Sequence, residues 1–157
     1  MADISAQVAT ESEKNPLERQ RELMQLLSQE TRHSIIQALL GHPEVLASAA
    51  EINHFVPSKA KKTVEEQLDV LVAADILAIY NHTLNKQKRG LPWKFYGFTT
   101  HGTDILEDFN YLKAVPMARA VHQKTRKPEK IIRHETAPRP PLPDPVRVTF
   151  RLNNESG

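Results

Sequence analysis

Catalysis needs nucleophiles, metal ligands or paired acids and bases, and this 157-residue chain offers few of them. It has no cysteine, which removes disulfides, thiolate nucleophiles and thiolate metal sites together. Histidines at positions 33, 42, 54, 82, 101, 122 and 134 are scattered along the chain. His33 lies near Glu30 on one helical face, a pairing that is usually a surface contact. With only five glycines there is no Gly-rich loop to cradle a phosphate. A nucleophile elbow and a His-Glu-x-x-His pair are also missing. These residues point away from an enzyme, and neither a cofactor nor a metal is expected.

The residues that do form a pattern are cations. The net charge of +2 hides an uneven distribution: residues 1–58 balance at −4, 59–112 at zero, and 113–139 at +6. Such polarity suits a polyanion, with a solubilising tail as the plain alternative. Three groups stand out. The first is Ser58, Lys59, Lys61, Lys62 and Thr63, whose ammonium and hydroxyl groups reach phosphates or base edges. The second is Lys86, Lys88 and Arg89, with Lys94 nearby. The third is Lys124, Arg126, Lys127, Lys130 and Arg133, continued by Arg139, which as a flexible arm would track a nucleic-acid backbone with strong salt dependence. Glu65, Glu66 and Asp69 follow the first group within a turn or two. They would repel phosphate unless they point away, so contact is expected from the first turn and a half.

The elements that would position these groups follow from periodicity and punctuation. Residues 1–16 are polar and aperiodic and end in Asn15-Pro16, so disorder is expected there. Leu17, Met24, Leu26 and Leu27 begin a helical pattern, which Ser28 interrupts. A second helix from about Glu30 to Leu40 carries Ile35, Ile36, Leu39 and Leu40, and Gly41-His42-Pro43 stops it. Ser48-Ala49-Ala50-Glu51 matches a capping box opening a short helix through Phe55. Ser58 is the candidate cap of the next helix, which runs to about Ala74 with Val64, Leu68, Leu71 and Val72 on one face. In that reading its lysines oppose the helix dipole, so either a polyanion compensates them or a wet surface tolerates them.

A strand is predicted over Ile76–His82, then a basic loop, then a return strand through Phe95, Tyr96 and Phe98. Thr99 or Thr100 caps another helix, with a boundary or kink at Pro116 and an end near Lys124. After the short apolar spot Ile131-Ile132, the Pro-rich run from Pro138 to Pro145 predicts an extended tail. The fold class is therefore mainly α with a β-hairpin. A short helix turning into a longer one, followed at once by a basic hairpin, is a winged helix-turn-helix, which lays a helix in the major groove and a loop beside it.

Three stretches carry a family resemblance: Leu27-Ser28-Gln29-Glu30-Thr31-Arg32-His33 with Ile35-Ile36, then residues 67–77 (QLDVLVAADIL), then Phe95-Tyr96-Gly97-Phe98-Thr99-Thr100-His101-Gly102. Over roughly residues 20–125 the chain resembles archaeal winged-helix transcriptional regulators of the ArsR-like class, and more narrowly a haloarchaeal group. The resemblance implies DNA binding by a homodimer paired through terminal helices. Leu112, Val115, Ala118 and Val121 would be its dimer contacts, although they could also pack on their own domain. Members of the class that sense metals use thiolates or clustered histidines and carboxylates, which this sequence lacks.

The expected organisation is a disordered segment at 1–16, a winged-helix domain with a C-terminal dimerisation helix at 17–125, and a basic then Pro-rich extended tail at 126–157. No stretch is apolar enough to span a membrane and no secretory signal opens the chain, so a cytoplasmic location is expected. The expected partners are double-stranded DNA and a second copy of the chain. The alternative is a winged-helix module that binds protein without touching DNA. A single-strand RNA role lacks the aromatic platform it would need.

Overall fold

In the computed structural model, residues 15–152 are described; residues 1–14, where disorder was expected, lie outside them. Asn15 and Pro16 belong to the fold instead. Asn15 caps helix α1 (Pro16–Ser28) by accepting from the Glu18 N–H at 2.8 Å, and proline takes a first-turn position where no N–H is missed. Helix α2 (Glu30–Gly41) buries Ile35, Ile36, Leu39 and Leu40 completely, the stripe read from their spacing.

A two-residue strand that sequence reading does not find, β1 (Leu46–Ala47), precedes α3 (Ala49–His54). The capping box of α3 is present: Ser48 Oγ accepts from the Glu51 N–H, and a Glu51 carboxylate oxygen accepts from the Ser48 N–H. Helix α4 (Lys61–Ala73) buries Val64, Leu68 and Leu71 and ends with Asp75 in the left-handed conformation. Strands β2 (Leu77–Asn81) and β3 (Lys94–Phe98) pair antiparallel, Leu77 opposite Phe98 and Asn81 opposite Lys94. Strand β1 adds to the other edge of β3, giving the order β1-β3-β2. A 3-10 turn at Thr83–Gln87 occupies part of the hairpin loop.

Thr99 caps α5 (Thr100–Asp108), accepting from the Gly102 N–H at 2.8 Å. The predicted continuation breaks at Asn110, which is left-handed, and a 3-10 turn leads into α6 (Val115–Lys124). Pro116 therefore starts a helix rather than kinking one. The mainly α architecture with a β-hairpin is the one expected from the sequence.

The extended tail is not. Residues after Lys124 form α7 (Glu129–Thr136) and α8 (Asp144–Thr149), and both pack on the domain. Ile131, Ala137, Leu142, Val146 and Phe150 are buried. The physical reason lies in how the prolines are placed. Pro128 and Pro143 stand at N-cap positions and Pro145 in a first turn, where proline favours a helix start. Between the helices, proline-rich backbone runs extended and sets Leu142 against Gly97. That strand glycine has no side chain to block the approach: a Cβ there would lie 2.8 Å from Leu46 Cδ1 and 2.9 Å from Leu142 Cδ2. Phe150 stacks on Phe98 with ring centroids 5.8 Å apart.

Arg139 locks this segment in place. Its side chain is 4% exposed and every guanidinium donor is used. Nη2 donates to both Glu51 carboxylate oxygens at 2.7 Å, and Nε donates to the Leu46 carbonyl at 2.9 Å. Nη1 reaches the carbonyls of His134, Glu135 and Ala137, and the group lies 4.9 Å above the Phe95 ring. His42 Nδ1 accepts from the Glu44 N–H, so its Nε2 carries the proton and donates to Glu51 at 2.9 Å. Burial alone would raise the Glu51 pKa, but the His42 hydrogen bond and the charge of Arg139 outweigh it and hold it below the usual carboxylate value. One carboxylate thus caps α3, receives His42 and anchors the C-terminal segment.

Candidate nucleic-acid interface

The helix pair α3–α4 and the loop between β2 and β3 carry the first two basic groups. Ser58 does not cap α4. It is exposed in the preceding turn, and Ala60 occupies the N-cap with no side chain able to accept. The first turn of α4 is therefore uncapped and holds no acid, leaving its leading N–H groups available to an outside acceptor. Lys61 and Lys62 are exposed there and Thr63 is half-buried. Lys59 lies in the turn, its Nζ 3.8 Å from a Glu30 carboxylate oxygen on α2.

Glu66 and Asp69 lie at i+4 and i+7 from Lys62, on the face of α4 opposite Val64, Leu68 and Leu71, and all three are exposed. The acids consequently share the outward face with Lys62 and follow it into the helix. Gln67 is engaged inside the domain, accepting from Arg32 Nη1 at 3.0 Å.

In the hairpin loop Lys88 and Arg89 are exposed, and Gly90 takes a positive φ of 83° that permits the turn. Lys86 Nζ sits 4.5 Å from the Trp93 ring centroid and Lys94 Nζ 5.6 Å from that of Tyr96, so aromatic faces hold both cations. The loop is also fastened from beneath. Asn85 is buried and its amide donates to the carbonyls of Pro92 at 3.0 Å and Pro138 at 2.8 Å. An asparagine in a basic loop looked like turn composition; its partner 53 residues away could not be read from local pattern.

The third basic group is not a flexible arm. Lys124, Arg126, Lys130 and Arg133 are exposed, but Arg126 to Arg133 lie on a packed segment. Lys127 is drawn inward, with Nζ 3.1 Å from Glu135. Arg139, the last member of that run, is the buried anchor described above.

Of the dimer candidates, Leu112, Val115 and Ala118 are half-buried and pack against the domain's own core. Val121 is 57% exposed, and Met117, which the sequence did not single out, is 74% exposed. Both border a cavity of about 300 Å³ between α2 and α6, whose walls include Ala38, Gly41, Phe55 and His122. His122 stacks on Phe55 at 4.7 Å, and burial, helped by the Lys127 charge, pushes its pKa down to about 4. Among the described residues no cluster of three or more His, Asp or Glu could hold a metal ion, and no helix is long and apolar enough to cross a membrane.

No protein-family model matches the chain, and no curated protein matches it. Among solved structures, it is similar to a protein with a GntR superfamily winged-helix-turn-helix domain from Halomicrobium mukohataei, with a TM-score of 0.74 at 21% identity over 83% of this chain and 92% of that one. It is less similar to the diamide-treated YodB from B. subtilis, with a TM-score of 0.47 at 19% identity over 73% of this chain and 99% of that one. The fold is that of a winged helix-turn-helix, with α3 and α4 as the helix pair and the β2–β3 hairpin as the wing.

Proposed function

We propose that the chain is a transcriptional regulator of the ArsR-like archaeal type, which binds double-stranded DNA sequence-specifically as a homodimer. The observation that carries this reading is the uncapped, acid-free first turn of α4 bearing exposed Lys61 and Lys62, on a fold whose wing offers Lys88 and Arg89. Phosphate would be held by the open N–H groups and ammonium groups together. Ser58, Lys59 and Thr63 would border that contact, and Lys86 and Lys94 would support the wing. The protein in this reading is no enzyme, needs no metal or cofactor, and acts in the cytoplasm. Met117 and Val121 would meet a second copy across the groove beside α6.

Glu66 and Asp69 on the outward face of α4 favour a second reading, a winged-helix module that docks on a protein. Fluorescence anisotropy of labelled mixed duplex, titrated from low to high salt, separates the two. DNA binding that weakens with salt, and that in Lys61→Ala/Lys62→Ala is weaker overall with a log–log salt slope reduced by about one unit per residue, supports the regulator. A wild-type protein that shifts no duplex at low salt refutes it.

A further inference from the structure

We propose that α7 is a third, fixed part of the DNA-contacting surface, with Lys130 and Arg133 holding phosphates beside the wing. This rests on the DNA-binding reading above and extends it to a region that sequence reading assigns to a loose tail. The route of α7 over the domain supplies the argument. Before its first turn, the Arg126 carbonyl accepts from His54 Nε2 at 2.9 Å, at the end of α3 that leads into the recognition helix. Further along, His134 Nδ1 and the Ser48 hydroxyl share a hydrogen bond at 2.9 Å, at the start of α3. Beyond it, the Pro138 carbonyl takes the Asn85 amide of the wing loop. The segment therefore runs the length of α3 and ends against the wing.

Arg133 makes the connection to the wing tip itself. A Cβ placed on Gly90 would stand 3.3 Å from Arg133 Nη1, so the guanidinium lies against the loop that carries Lys88 and Arg89. Lys130 shares the flank of α7 with Arg133 at the i, i+3 spacing, and both are exposed. Their charges, with that of Arg139, also help hold His134 below its usual pKa, after burial as the main cause and against Glu51. Positive potential thus continues from the wing onto α7.

The neighbouring acids do not cancel it. Glu135 turns inward to Lys127 and His122. Glu129 lies 3.8 Å from Arg133 Nη2 but is 89% exposed, and an exposed pair of this kind gives way readily to a phosphate. Because α7 is packed rather than loose, its two cations meet a bound duplex without first being ordered, which a free tail cannot do.

The test is salt-titrated anisotropy on two mixed duplexes, one long and one trimmed to what α4 and the wing alone would cover. It compares wild type, Lys130→Gln/Arg133→Gln, and Lys61→Ala/Lys62→Ala, each checked by thermal melting. On the long duplex, the α7 variant is expected to lose about two units of log–log salt slope. On the trimmed duplex it is expected to match wild type. An α7 variant that equals wild type on both, while the α4 variant loses binding, overturns this proposal and leaves the regulator reading intact. If wild type binds neither duplex at low salt, the regulator reading fails and takes this proposal with it.

Discussion

Replacing Arg139 by Met should destabilise the protein severely, because its guanidinium is buried in the fold rather than offered to solvent. Methionine keeps most of the apolar stem and removes the fork. Glu51 would then sit at 1% side-chain exposure with His42 and the Ser48 N–H, but without the cation that receives both of its oxygens. The carbonyls of Leu46, His134, Glu135 and Ala137 would lose a charged donor together. Removing one partner of a buried ion pair costs roughly 3–5 kcal/mol, because the other charge stays buried and uncompensated. Against a total stability of about 5–15 kcal/mol this is a large fraction. It corresponds to a melting temperature lower by roughly 10 °C, at about 2–4 °C per kcal/mol for a chain of this size.

Urea unfolding followed by circular dichroism measures the loss, and a double-mutant cycle assigns it. Glu51→Gln preserves the capping box, since glutamine can also reach back to the N-cap N–H. Combined with Arg139→Met it removes the stranded charge, so the double variant should be more stable than the two single losses predict. The expected coupling is about 2 kcal/mol or more, within the range found for contacting residues. Additive losses, or an Arg139→Met protein within about 1 kcal/mol of wild type, would refute the claim that this pair clamps the C-terminal segment to α3.

Other substitutions probe separate parts of the structure. His122 has a folded pKa of about 4 against 6.5 for the free side chain, so the unfolded chain takes up the proton first. Its contribution is complete above about pH 6.5 and is lost as pH falls through 4, on the order of 3 kcal/mol in all; His122→Phe should flatten that part of the stability–pH curve. Asp75→Gly should raise stability by about 1 kcal/mol, because Asp75 holds φ 60° where the helix-ending hydrogen bonds from Asp75 to Val72 and from Ile76 to Leu71 require it; an unchanged urea midpoint would count against this. Gly41→Ala would put a Cβ 2.5 Å from the Ala118 carbonyl oxygen and force α2 and α6 apart, a loss of about 1–3 kcal/mol by thermal melting. Met117→Glu/Val121→Glu should leave folding intact and shift a dimer to monomer in sedimentation velocity; an unchanged sedimentation coefficient would move the dimer contact elsewhere.

What could be read beforehand was whatever is encoded within one or two turns of chain. The apolar stripe of α2, the capping box at Ser48 and Glu51, the threonine cap of α5 and the alternation of the hairpin depend on neighbours, so spacing reveals them. The failures share a different cause. Ser58 has the chemistry of a cap, yet α4 starts three residues later at Lys61, because the turn between α3 and α4 fixes where its apolar face meets the core. Strand β1 has two residues and exists only because β3 offers it an edge. The Pro-rich stretch has the composition of an extended linker, but Leu142, Val146 and Phe150 recur every fourth residue and Arg139 finds Glu51 across 88 positions. Composition describes what a segment does alone; these residues are held by surfaces that other segments provide.

The acids of α4 constrain how a duplex would be held. With Glu66 and Asp69 on the same face as Lys62, a helix laid deep along the groove would bring two carboxylates toward phosphate or base edges with few cations to offset them. Contact through the helix end alone avoids this, but two lysines and a few N–H groups supply a small number of phosphate contacts. The remaining attraction must come from cations held rigidly at a distance from those acids. Asn85 helps the wing meet that requirement by tying it down to Pro138, and the segment containing Pro138 is itself set in place by Arg139. Loosening the clamp should therefore weaken DNA binding beyond what lost stability explains. In Asn85→Ala, which keeps every cation, a reduced salt slope at a temperature where the protein is fully folded would show that wing rigidity matters. An unchanged slope would show that the wing cations need no fastening by Asn85.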